Sequence, residues 1–281
     1  MRRIQFISDN ATVRGVLFEP TTPPPHPAVI FAHGLLSAHQ EFGDYPQRFC
    51  ERGYLTLAID FRGHGMSEGM RGLVSEMSMV EDLRHALDYI EARPEIDNNH
   101  IALFGHSLGG GGVICATARD ARVQAVVAGA TVGRLRDELK PSEVNLYRTI
   151  DRFNRWQKSF TKKSIYVPYR VSYKDIFADP HYAAAARAKN FLQTSLPADN
   201  IPQLLTQDAV ACAKNIHVPA LIVQGELDQV VAHTSVQAVY EAIPSEKELY
   251  IVKGSGHSVW TDCQGDVAFE HVAAWLDKYL K

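Results

Sequence analysis

The sequence predicts an α/β fold: a mostly parallel central sheet of about eight strands, flanked by helices. Three observations predict it. Short continuous apolar runs recur along the chain, with the length and character of strands buried on both faces. Amphipathic helical patterns separate them, as in successive βαβ units. And Gly105-His106-Ser107-Leu108-Gly109 joins one apolar run, Ile101 to Phe104, to a helix-compatible stretch, Gly110 to Arg119.

Taken in order, Arg2 to Ser8 and Thr12 to Phe18 alternate apolar and polar residues, as an antiparallel pair of strands does. Thr21 to Pro27 is a proline-rich connector. The buried strands follow: Ala28 to Phe31, Leu55 to Ile59, Ile101 to Phe104, Val123 to Val127, Ala220 to Val223 and Leu249 to Val252. Val80, Leu83, Leu87 and Ile90 recur at helical spacing, and Val267 to Leu280 repeats that pattern at the C-terminus. An open sheet of this kind places its ligands beyond the carboxyl ends of its strands.

One stretch breaks the rhythm. From about Gly133 to Gln207 no clean strand is visible. The division expected is therefore a core domain over 1–132 and 208–281, with 133–207 an inserted helical cap. The inserted stretch is rich in aromatics: Tyr147, Phe153, Trp156, Phe160, Tyr166, Tyr169, Tyr173, Phe177, Tyr182 and Phe191. These read as the core of the cap. Between Lys140 and Lys189 eleven Lys and Arg face four Asp and Glu. That bias fits either a solvated helix face or the attraction of an anionic ligand or surface.

The 281 residues suffice for one large α/β domain, or one domain with an insertion, and for a substantial core. A net charge of −3 argues for neither nucleic acid nor a general membrane surface. No apolar run reaches the roughly 18 residues of a membrane span. Met1-Arg2-Arg3 is basic, but no continuous apolar region follows it, so no secretory signal is expected. Cys50, Cys115, Cys212 and Cys263 are scattered, and none forms a C-x-x-C pair. A zinc site is not expected, and reduced thiols in a cytoplasmic protein are.

The chemistry centres on Ser107. A G-x-S-x-G sequence between a strand and a helix makes a sharp turn that lifts a serine hydroxyl above the sheet. A serine hydroxyl is a poor nucleophile at neutral pH and needs an adjacent base. His257, in Gly254-Ser255-Gly256-His257-Ser258, follows the last strand and precedes the C-terminal helix. Asp228 follows the strand Ala220 to Val223 and is placed to orient the imidazole. Glu226 competes with it but falls in the turn, exposed. Asp262 and Asp266 come after His257 and are poorly placed. Acyl transfer also needs donors for a developing oxyanion. The backbone N–H of Leu108, next to the nucleophile, is one candidate. The N–H of Leu35, in His33-Gly34-Leu35-Leu36-Ser37 after the first buried strand, is the other.

With these residues in hand, the chain resembles the α/β-hydrolase superfamily over nearly all its length outside the cap. The resemblance rests on His33-Gly34, on Asp60-Phe61-Arg62-Gly63-His64-Gly65-Met66-Ser67, on the elbow, and on Gly225-x-x-Asp228 with Gly256-His257. The order Ser, Asp, His is the order of that fold. Within the superfamily the first 110 residues are most similar to the monoacylglycerol lipase, lysophospholipase and cinnamoyl (feruloyl) esterase groups. The resemblance implies that Arg62 and Ser67 tie down a structural loop. It also implies an α/β-hydrolase fold with an inserted cap.

The reaction expected is hydrolysis of carboxylic esters through an acyl-enzyme on Ser107, with no metal and no organic cofactor. The substrate is a small acyl ester, and the basic cap favours an anionic one. Nucleic-acid binding and stable membrane insertion are not expected. The same triad also serves a thioesterase or a peptidase, and a ligand-binding protein on a hydrolase scaffold is the reading from a different class.

Overall fold

The computed structural model describes residues 1–168 and 171–281. Its strands are β1 (Arg2–Ser8), β2 (Ala11–Phe18), β3 (His26–Ala32), β4 (Leu55–Asp60), β5 (Ile96–His106), β6 (Val123–Gly129), β7 (Tyr166–Pro168), β8 (Ser195–Pro197), β9 (Ala220–Gly225) and β10 (Lys247–Val252). The helices of the first half are α1 (Tyr45–Glu51), α2 (Glu76–Glu91), α3 (Leu108–Thr117) and α4 (Pro141–Thr161). Those of the second half are α5 (Tyr173–Ile176), α6 (Pro180–Lys189), α7 (Asn200–Thr206), α8 (Ala209–Ala213), α9 (His233–Ala242) and α10 (Gly265–Leu280).

Eight strands form one sheet in the order β1-β2-β4-β3-β5-β6-β9-β10. Only the pairings made by β2 are antiparallel; the remaining neighbours run parallel. The predicted mostly parallel sheet of about eight strands is thus present, and it is the α/β-hydrolase fold.

Alternation along β3 explains its unbroken apolar run. Ala28, Ile30 and Ala32 point into the core shared with α2, α3 and α9. Val29 and Phe31 point into the opposite core, shared with α1 and α10. A strand covered on both faces has no polar side to show. Helix α2 buries Val80, Leu83, Leu87 and Ile90, the periodic positions of the sequence, and Met79 beside them. Ser75 starts it: its hydroxyl accepts from Ser78 N at 3.0 Å, and Ser78 Oγ accepts from Ser75 N at 2.8 Å.

The stretch between β6 and β9 departs from expectation in two ways. It is not wholly helical, because β7 and β8 pair antiparallel as a small second sheet. Each is only three residues long and ends at a proline, too short to show an alternating pattern. Nor are its aromatics mainly core. Phe153, Trp156 and Phe160 lie on the outer face of α4 at 56%, 61% and 73% exposure, and Tyr166 and Tyr182 are exposed too. The inward face of α4 buries the polar Asp151 and Asn154 instead, and Asn154 Oδ1 accepts from Ile165 N at 2.8 Å. Phe177 is buried, with Tyr173 and Phe191 packed against its cluster. Tyr169 lies outside the described residues.

The expectation of four reduced thiols is also corrected. Cys115 on α3 and Cys212 on α8 form a disulfide across a sequence separation of 97. Their helices pack together beneath the sheet, a proximity that sequence spacing does not express. Cys50 and Cys263 are free. The cysteine argument for a cytoplasmic protein therefore loses its ground. Among the described residues, no helix is long and apolar enough to cross a membrane.

Candidate active site

Ser107 sits between β5 and α3 with φ 54° and ψ −121°, a left-handed conformation costly for a residue with a Cβ. Its N–H is held by Gly129 O at 2.8 Å, at the carboxyl end of β6. The turn closes only because its neighbours lack side chains. A Cβ on Gly105 would stand 2.4 Å from Gly109 O, and one on Gly109 would stand 2.2 Å from His33 O. Strand, turn and helix thus meet as the G-x-S-x-G spacing predicts.

His257 follows β10 and Asp228 follows β9. The two loops interlock: a Cβ on Gly225 would stand 2.0 Å from Gly256 O. His257 Nδ1 lies 3.0 Å from Asp228 Oδ2. A carboxylate can only accept, so Nδ1 donates and Nε2 keeps its lone pair. Asp228 Oδ1 accepts from Val230 N at 2.8 Å and Val231 N at 3.0 Å. Burial opposes ionisation of Asp228, but His257 and these amides outweigh it and hold the carboxyl below its usual range. Glu226 is exposed in the turn, where Oε2 accepts from Gly254 N. Asp266 is exposed against Arg48. Asp262 is buried, yet it binds Gly256 N and Ala178 N at 2.7 and 2.8 Å rather than the His257 ring.

The loop after β3 approaches Ser107 from the other side, where a Cβ on Gly34 would stand 3.1 Å from Ser107 Cβ. Gly34 O accepts from His33 Nδ1 at 2.8 Å and from Ser37 N at 3.3 Å. A trans peptide points its N–H opposite its C=O, so Leu35 N–H faces away from these partners. His33 Nε2 accepts from Phe61 N at 3.0 Å, and burial pushes its pKa down, which fixes a neutral ring with hydrogen on Nδ1. Leu108 N is the first amide of α3, where backbone N–H groups lack helical partners. Among the described residues neither amide has a hydrogen-bond partner.

Ser107, His257, Leu35 and Val230 line one cavity of about 50 Å³. Val171, Ile176 and Leu192 bring the β6–β9 stretch over it. Among the described residues no lysine or arginine lines it.

Arg62 and Ser67 behave as the loop motif implies. Arg62 Nε donates to Asp82 Oδ1 at 2.9 Å, and Ser67 Oγ donates to Asp60 O. Neither lines the cavity.

One group at the site escaped the sequence. Glu41 also lines the cavity, and it is buried. Its Oε2 accepts from Gly34 N at 2.9 Å, and Oε1 pairs with His106 Nδ1. A lone carboxylate in a single short helical turn, His39–Phe42, has no periodicity or motif to mark it.

Residues 23–264 match the family described as serine aminopeptidase, S33. The chain is 28% identical over 266 residues to an uncharacterized 31.7 kDa protein in the traX-finO intergenic region of Escherichia coli, covering 91% of this chain and 92% of that one. It is 27% identical over 274 residues to a monoacylglycerol lipase of Mycolicibacterium smegmatis, covering 94% of each. Its backbone superposes on the alpha/beta hydrolase GrgF from Penicillium with a TM-score of 0.86 at 23% identity, over 99% of this chain and 98% of that one. The elbow, the two loops that interlock after β9 and β10 and this match over most of the length lead to one assignment: the chain belongs to the serine aminopeptidase S33 family of α/β hydrolases.

Proposed function

We propose that the chain hydrolyses carboxylic esters through an acyl-enzyme on Ser107, with His257 as base and Asp228 as its orienting partner. The observation that carries this reading is the 3.0 Å bond from His257 Nδ1 to Asp228 Oδ2, in a cavity that Ser107 also lines. That bond leaves Nε2 free to take a proton. Ser107 Oγ attacks the acyl carbonyl as its proton passes to Nε2, and the carbonyl electron pair moves onto oxygen. Leu35 and Leu108 N–H groups receive that oxyanion. The leaving alcohol departs with the proton from His257. Water then repeats the attack on the acyl-enzyme, with His257 again the base.

The stretch 133–207 acts as a cap over this site. Its contributions to the cavity are uncharged and mostly apolar, Gln193 and the Tyr173 hydroxyl being the polar ones, supporting a neutral acyl group. The anionic substrate favoured by charge counting finds no cation in the lining among the described residues; the basic side chains of α4, such as Arg148, Arg152 and Arg155, are exposed. The cavity is about a third of the roughly 150 Å³ that admits benzene in an engineered apolar site, which supports an acyl chain of few carbons.

The test is hydrolysis of p-nitrophenyl esters from acetate to palmitate, with amino-acid p-nitroanilides alongside and Ser107→Ala as control. A short-chain optimum, abolished in Ser107→Ala, is expected. Faster cleavage of the anilides would move the assignment to amide bonds. Turnover of Ser107→Ala within tenfold of the unaltered protein would refute it.

A further inference from the structure

Glu41 is a carboxylic acid placed where burial costs several kcal/mol unless it is fully partnered. Its partners lie on two separate segments, and one of them reaches a third. Oε2 accepts from Gly34 N, the residue before the candidate oxyanion donor Leu35. Oε1 meets His106 Nδ1, on the residue before Ser107. The far nitrogen of that ring, Nε2, donates to His257 O at 3.0 Å. The His106 and His257 rings also pack, with centroids 4.7 Å apart.

Hydrogen on Nε2 leaves a single proton between Nδ1 and Oε1. Whichever atom holds it, the pair is neutral overall, which is what its buried position requires. Gly34 is confined between the two groups: a Cβ there would meet Ser107 Cβ at 3.1 Å and both Glu41 carboxyl oxygens at 3.5 Å. The carboxyl therefore stands directly behind the peptide that presents Leu35 N–H. An apolar side chain could fill this space, but it would join none of the three segments.

We propose that Glu41 is a positioning residue that fixes the oxyanion loop, the elbow and the His257 loop in one frame, acting through Gly34 and His106. The proposal rests on the serine-hydrolase reading. A misplacement of reacting groups by about 1 Å can cost 100-fold in rate, so loss of this frame should appear in kcat.

The test uses the full chain with p-nitrophenyl acetate. Rates are expressed per fluorophosphonate-reactive site, so that unfolded protein does not count, and thermal unfolding is recorded in parallel. Glu41→Ala is expected to lower per-site kcat about 10- to 100-fold, with KM within about twofold. Glu41→Gln can still accept from Gly34 and donate to His106 Nδ1, so it should recover most of that loss. Glu41→Asp keeps the carboxyl but cannot span both partners; it serves if the alanine variant does not fold, and a per-site loss of at least about fivefold is expected. The Glu41→Ala/His106→Ala double variant should be no slower than the slower single variant, because both remove one connection. A per-site kcat within twofold of the unaltered protein in Glu41→Ala or Glu41→Asp, whatever the change in Tm, overturns the positioning role. So do losses in the double variant that multiply. Failure of the serine-hydrolase reading shows separately, as an unaltered protein that neither labels nor turns over; that result removes both.

Discussion

His257 and Asp228 are 29 residues apart in sequence, and their side chains meet at 3.0 Å between Nδ1 and Oδ2. Each sits just beyond the carboxyl end of its strand, and β9 and β10 are parallel neighbours. Adjacent strands of the same polarity bring their following loops together, and Gly225 and Gly256 let those loops touch.

Asp228→Asn should therefore damage catalysis without greatly disturbing the fold. The amide NH₂ offers a donor where His257 Nδ1–H needs an acceptor, which favours the wrong tautomer. A fall in kcat of about 10³- to 10⁴-fold is expected, with a Tm change of only a few degrees. Steady-state kinetics and thermal unfolding measure both. A kcat within tenfold would mean that Asp228 does not orient the base.

The elbow predicts a steric effect. A Cβ on Gly109 would stand 2.2 Å from His33 O and 2.4 Å from Ala32 O, both backbone atoms of the strand and loop beside Ser107. Neither can move alone. Gly109→Ala should cost about 3 kcal/mol or more, read as a shift of the urea midpoint, and any folded fraction should label poorly at Ser107. Unchanged stability would contradict the packing described.

Much of this site is legible in the sequence, and the reason is topological. Ser107, Asp228 and His257 each follow a continuous apolar run, and a parallel sheet gathers such positions at one edge. The same logic points to Leu35 and Leu108 as the candidate oxyanion donors. It could not find Glu41, whose place depends on how a loop folds back under Gly34. It missed the Cys115–Cys212 pair because α3 and α8 meet only through tertiary packing. It also assigned Phe153, Trp156 and Phe160 to an interior, since richness in aromatics marks a stretch without saying what covers each ring. In α4 the protein-facing side is instead the one bearing Asp151 and Asn154.

Buried imidazoles predict how the fold responds to acid. Burial, reinforced by His33, pushes His64 from 6.5 down to about 3. Its Nδ1 lies 3.1 Å from Arg62 O, and its Nε2 has no partner among the described residues. As pH falls below about 6.5 the unfolded chain takes up this proton and the folded one does not, so stability drops until about pH 3. The slope is about 1.4 kcal/mol per pH unit for one such group. Denaturation midpoints at pH 7 and pH 5 should show this loss, and His64→Gln should reduce it. Equal midpoints at the two pH values would contradict a neutral buried His64.

The cavity predicts chain-length preference. Leu192 reaches the lining from the stretch between β6 and β9. Leu192→Ala removes three carbons and opens the lining. The optimum among p-nitrophenyl esters should move to chains about two to four carbons longer. An unmoved optimum would place the acyl group elsewhere.

The most direct test of the central claim is covalent labelling by a fluorophosphonate, followed by mass analysis of the modified peptide. One equivalent attached at Ser107 is predicted, with no labelling of Ser107→Ala and labelling slowed at least about 100-fold in His257→Ala. Labelling at another residue, or none in the folded protein, would contradict an activated Ser107.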